Sequence, residues 1–266
     1  MILARSLIAL SLLLPATTLA AQATSPKATP TSSKSPGYAE RLDQLALRAY
    51  ALPSARRPLI TRALDRLGPG AIDAMVALAR QDSPTLARVR QDAPAAAAEF
   101  DAALLHAIGV RRDARALDVL ALAFEKRSDR HAIAAAGDGL GKLCERGGFD
   151  VLARHAVDGD ARASAAWASL GLCRTMKSAQ LLSTKLESAT DEATVRALTS
   201  GIAQVGSTWA WEAMGPERMA EGIEIRARCS SALLTAYPRQ ESDASRLAIR
   251  TALRMVDEKA AKKLER

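Results

Sequence analysis

The residues of this 266-residue chain whose types could carry chemistry are three cysteines, three histidines, three tryptophans, one glycine-rich stretch and a line of acids. Cys144 and Cys173 follow two successive pairs, Leu140-Gly141 and Leu170-Gly171, at offsets one position apart. An oxidising compartment would permit a disulfide between them. Against that bond, packed helices lie ~8 to 10 Å apart while a disulfide wants its Cα atoms within about 7 Å. The other reading is of two small buried core residues, and Cys229 is expected to be a buried thiol in any case. The pair is therefore kept as a candidate disulfide.

Gly137-Asp138-Gly139-Leu140-Gly141-Lys142 has the look of a phosphate loop. It fails on inspection, because Ala136 stands where the first glycine belongs, Leu143 replaces the required Ser or Thr, and no strand precedes it. Asp73, Asp118, Asp150, Gln180 and Glu212 share one phase along the chain. A stripe that binds cations or basic partners is one reading. The one adopted places each in the first turn of a helix, where an acid meets the positive end of the dipole and contributes ~0.3 to 1 kcal/mol. His106, His131 and His155 have no HExxH or two-turn spacing, so no metal site is expected. There is no G-x-S-x-G elbow and no Cys-His arrangement, so no catalytic set and no cofactor are expected. Trp211 falls in a core slot shared with Leu117 and Phe149, and Trp167 sits among Ala and Ser. Trp209 is read as a turn residue, exposed, and is the candidate interface residue, since exposed Trp anchors interfaces.

What positions these residues is a set of short helices. Hydrophobic residues make up 48% of the chain but aromatics only 3%, and Ala, Leu and Arg dominate, which favours helix over strand. Apolar residues recur at helical spacing from Tyr38 onward, as in Leu42, Leu45, Ala46 and Ala49. Helices this short are marginal alone and must stack. Self-comparison shows how. Ile108-Gly109 leads to Ala114 to Leu120, Leu140-Gly141 to Arg146 to Leu152, Leu170-Gly171 to Ser178 to Leu182, and Ile202-Ala203 to Thr208 to Met214. An earlier copy starts at Leu67-Gly68, and a degenerate one runs through Ile225-Arg226-Ala227 and Leu247 to Met255. Five or six helix pairs fit, with Ala at inner positions allowing close approach.

This pattern resembles the HEAT-repeat family, in particular its short bacterial variant, whose Ala-rich first helix ends in a Leu-Gly pair before a tight turn. Arg112-Asp113 and Gly206-Ser207 stand where that turn belongs. The resemblance covers about residues 55 to 255, and it implies an all-α, right-handed α-solenoid with an extended surface that holds other macromolecules.

The first residues read as an address. Arg5 precedes an apolar run from Leu7 to Leu14, Pro15 breaks it, and Ala21-Gln22-Ala23 offers a small-x-small cleavage site. The expected domains are a signal peptide over 1–23, a Ser/Thr/Pro linker over 24–37, and the solenoid over 38–266. The expected compartment is periplasmic or secreted, and no later stretch is apolar enough to span a membrane in the mature chain. From residue 38 onward 34 Lys and Arg face 29 Asp and Glu, a balance of +5 spread along the chain. That is no nucleic-acid footprint. The reading reached from sequence is a non-catalytic, exported scaffold, not an enzyme, with an unknown protein partner. A nucleic-acid binder like the HEAT-like DNA glycosylases is the first rival, and an exported inhibitor, immunity or envelope-assembly factor the second.

Overall fold

The computed structural model describes residues 37–51, 58–80 and 83–264. The signal peptide and almost all of the linker fall outside them. In chain order the helices are α1 (Tyr38–Ala51), α2 (Pro58–Asp65), α3 (Ile72–Ala79), α4 (Pro84–Asp92), α5 (Pro94–Val110), α6 (Leu117–Lys126), α7 (Arg130–Lys142) and α8 (Gly148–His155). There follow α9 (Ala163–Leu170), α10 (Met176–Ser188), α11 (Glu192–Val205), α12 (Thr208–Glu212), α13 (Met219–Ala236), α14 (Asp243–Val256) and α15 (Glu258–Leu264). There is no strand among the described residues, and none of these helices is long and apolar enough to cross a membrane.

Local sequence sets where helices start. The Asp129 carboxylate accepts from the amides of His131 and Ala132, Asp191 from Thr194, and Ser242 from Ser245, while Thr175 and Ser178 form a reciprocal box at the head of α10. Each such cap is worth ~1 kcal/mol. Pro84 and Pro94 open α4 and α5, where their missing N–H is harmless.

The helices stack in two layers. In one, α2, α5, α7, α9, α11 and α14 each pack against the next; in the other, α6 meets α8 and α10 meets α13. The seam is filled by fully buried Leu104, Leu120, Leu140, Leu170, Leu198 and Leu233, with Ala136 and Ala166 where backbones come close. This all-α solenoid of helix pairs is what the repeats lead one to expect.

Two departures have physical causes. First, α4 is inserted between α3 and α5 and is tied down by charge. Asp101 of α5, 6% exposed, receives Arg90 of α4 at 3.1 Å and Arg127 at 3.2 Å. Second, the last units are shifted. The segment expected to open a second helix at Thr208 stops at Glu212, because Gly215 (φ 92°) and Pro216 turn the chain, and α13 completes that layer. The segment around Ile225 thus packs on α10 in the second-helix layer, and Leu247 to Met255 belongs to the first-helix layer.

Candidate functional site

The glycines of α7 decide how its end sits. A Cβ added to Gly109 of α5 would lie 2.6 Å from the Cα of Gly139, and one on Gly141 would lie 2.5 Å from the Ser169 carbonyl oxygen and 2.9 Å from Leu172 Cβ. The C-terminal half of α7 is therefore pressed between α5 and α9 at backbone distance. The glycine stretch is thus a packing device within a helix, as its place in the repeat implied. Its consequence is chemical, since the segments leaving these three helices converge.

Between them lies a cleft of about 400 Å³. Arg112 reaches it from the end of α5, Lys142, Cys144, Glu145 and Arg146 from the end of α7, Cys173 and Arg174 from the end of α9, and Arg218 from the turn before α13. Five cations face it and one acid. Arg218 is already engaged: it donates to Glu221 at 2.8 Å and to the Arg174 carbonyl at 3.1 Å, and lies over the Trp211 ring. Lys142 shares α7 with Asp138, one turn earlier. Burial raises the Asp138 pKa and lowers that of Lys142, and each partly offsets the other's shift by charge attraction. His106 also acts on Asp138, and Arg112 also acts on Lys142. Arg174 is held below the usual guanidinium range by burial and then by Arg112 and Arg218, and its Nε is buried with no hydrogen-bond partner.

Arg112 (φ 52°) and Arg174 (φ 47°) are the non-glycine residues with positive φ among the described residues. Each stands just before a second-helix segment; in the unit between them Gly147 (φ 102°) does so. Left-handed backbone costs a side-chain-bearing residue ~1 kcal/mol or more, which is why glycine is the usual occupant. Here the strained positions carry the cations that line the cleft.

Cys144 and Cys173 belong to two one-turn segments, Cys144–Arg146 and Gly171–Cys173, that pack against each other. The thiols are free, and each shifts the other's titration. The Cys173 thiol holds Cys144 below its ordinary range, assisted by Lys177 and Thr175 and opposed by burial and Glu145. Cys173 is driven the other way by Cys144 and by burial, so it keeps its proton. The helix-spacing argument against a bond does not apply, because neither residue lies on the α-helices whose axes that spacing describes.

The other sequence candidates disperse. Asp73, Asp118 and Asp150 do sit in first turns, where Asp73 also meets Arg115 at 2.8 Å and Asp150 meets Lys177 at 3.7 Å. Gln180 and Glu212 do not, since the Thr175 cap starts α10 earlier and Glu212 ends α12. His155 binds Asp160 at 2.8 Å and stands edge-on to Phe124. No group of three or more His, Cys, Asp or Glu residues is placed to hold a metal among the described residues. Trp167 and Trp211 are buried, Trp211 donating to the Val205 carbonyl at 2.7 Å, and Trp209 is 75% exposed at the start of α12. Cys229 is buried in α13, its pKa pushed up to about 12 by burial.

A second, larger opening of about 590 Å³ lies between α11 and α14, lined by Ala203, Leu247, Ala248, Thr251 and Met255 among others. Its one charged residue, Arg196, is held by Glu192. Arg112, Lys142, Arg174 and Arg218 are the cleft residues that sequence reasoning missed. The available signal was arginine at the same repeat position in two units, four residues after Ile108 and after Leu170, where the intervening unit has Cys144.

No family model matches the chain, and no curated protein matches it. Solved structures do match. One is human deoxyhypusine hydroxylase in complex with glycerol, aligned over 84% of this chain and 98% of that one at 15% identity and a TM-score of 0.35. The class is an all-α stack of helix pairs. Two expectations are corrected here, that of a non-catalytic scaffold and that of a chain that is not an enzyme: the matched protein is by name an enzyme. A stack of helices is no ground for excluding catalysis.

Proposed function

We propose that this chain is an exported, HEAT-like repeat protein that binds a small ligand bearing a phosphate or carboxylate group in the cleft between α5, α7 and α9. The carrying observation is the pair Arg112 and Arg174, two cations held on strained backbone in one cleft, with no ion-pair partner among the described residues. Like charges brought together without an anion are a standing cost, and a bound oxyanion relieves it. Guanidinium groups match such oxyanions two bonds at a time. The volume suits a small molecule rather than a polymer. Support for a HEAT-like origin comes from the gapless repeats and the two layers. Support for export comes from Arg5, the apolar run to Leu14 and Ala21-Gln22-Ala23.

The test is titration with inorganic phosphate and, separately, citrate, followed by calorimetry and by Tm at low ionic strength. Saturable binding is expected, with a stabilisation of about 1.4 kcal/mol at a tenfold excess over Kd. The double variant Arg112→Ser, Arg174→Gly should lose it. No saturable binding of either anion, or equal binding by the double variant, overturns the reading.

A further inference from the structure

We propose that Cys144 and Cys173 are a redox-active dithiol that reduces small anionic disulfides held by the cleft's cations. This rests on the anion-binding reading and adds a reaction to it. Cys144 is half-buried and lines the cleft; Cys173 lines it too but is buried, 7% exposed, on the adjoining turn. The more exposed Cys144 is thus the attacking cysteine and the more buried Cys173 the resolving one. The stack holds the pair together because Gly141 lets Ser169 and Leu172 approach α7 at backbone distance. Cys173 and Lys177 favour the Cys144 thiolate, which is the nucleophilic form. Arg112, Lys142 and Arg174 supply positive charge on the side where an incoming disulfide would lie.

The reaction balances within these groups. The Cys144 thiolate attacks one sulfur of the disulfide RS–SR; that bond breaks, one RS⁻ leaves with the electron pair and takes up a proton, and Cys144 is left joined to the other RS group. Cys173 gives its proton to solvent and attacks Cys144 Sγ, and the second RS⁻ departs and is protonated. Two thiols of the protein are oxidised to one disulfide, and one external disulfide is reduced to two thiols.

The experiment mixes the fully reduced chain with three disulfides that differ in charge: oxidised glutathione, which is anionic, bis(2-hydroxyethyl) disulfide, which is neutral, and cystamine, which is cationic. Mass spectrometry follows the chain and a thiol reagent follows the released product. Glutathione disulfide should yield an intramolecular Cys144–Cys173 bond, with a rate at least ~10-fold above the neutral probe, an advantage equivalent to ~1.4 kcal/mol that high salt removes. Cys173→Ser should stop at one glutathione attached to Cys144, and Cys144→Ser should not react in the cleft. In Arg112→Ser, Arg174→Gly the preference for the anionic probe should vanish while the neutral probe still reacts. Phosphate binding without any intramolecular disulfide overturns the dithiol proposal and leaves anion binding intact. Equal rates for all three probes together with no phosphate binding overturn both.

Discussion

The cleft beside α7 and the groove between α11 and α14 are built by the same stacking rule and face solvent with opposite chemistry. The groove is the larger, about 590 Å³ against 400 Å³, yet small and aliphatic residues make most of its wall and its one cation is paired. The cleft is smaller, more polar, and rich in cations whose charges are not all answered. Volume therefore does not rank the two as sites. What separates them is unspent interaction: the groove exposes Leu247 and Met255, a modest apolar area, whereas the cleft holds strained arginines and a thiol pair.

The largest effect should come from the contact that closes the cleft. Gly141→Val places a branched side chain against the Ser169 carbonyl oxygen and Leu172, so α7 and α9 must part. Valine gains less helix propensity over glycine than alanine would, so overpacking dominates and the loss should be about 3 kcal/mol in urea unfolding. Ala248→Leu in the groove fills open space and should change stability by less than ~0.5 kcal/mol. Comparable losses in the two variants would erase the distinction drawn here.

Next in size is thiol reactivity. Iodoacetamide should label Cys144 at least ~10-fold faster than Cys229, with a pH midpoint below the ~8.5 of a free thiol. Cys229 has the opposite linkage. Its folded pKa is raised, so the stability it contributes is fully present below ~8.5 and is lost as pH climbs toward about 12. Cys229→Ala should flatten that alkaline decline. Prompt labelling of Cys229 in the folded chain would contradict its burial.

The smallest effect has an unusual sign. Arg174→Gly relieves positive φ and removes one of several crowded cations, so stability should rise by up to ~1 kcal/mol while phosphate affinity falls. Thermal melts with and without phosphate measure both. A loss of stability without ligand would mean that the Arg174 side chain is structural.

Much of the stack was legible because Leu-Gly pairs recur where helices end and because Ala at inner positions lets neighbouring helices approach closely. The inserted α4 was not, since the buried Asp101 that anchors it looks like any acid on a helix face until Arg90 and Arg127 are placed around it. The break at Gly215-Pro216 was in plain view, but the repeat alignment ran across it. Cys144 and Cys173 stand as free thiols on adjoining turns, a placement that spacing between helix axes does not describe. The arginines were missed for another reason. Backbone sign is invisible in sequence, and the residue at the same repeat position between Arg112 and Arg174 is Cys144, which gives no hint of it.

The position of the α7 seam also bears on how the molecule comes apart. In a stack where each layer touches only its neighbours, opening begins at the ends, and α15 packs chiefly on α14. The groove rests on that end and its amides should exchange with solvent early. The cleft draws its main residues from the middle of the array, so it can persist while the terminal helices fray, keeping two thiols side by side in a partly opened chain.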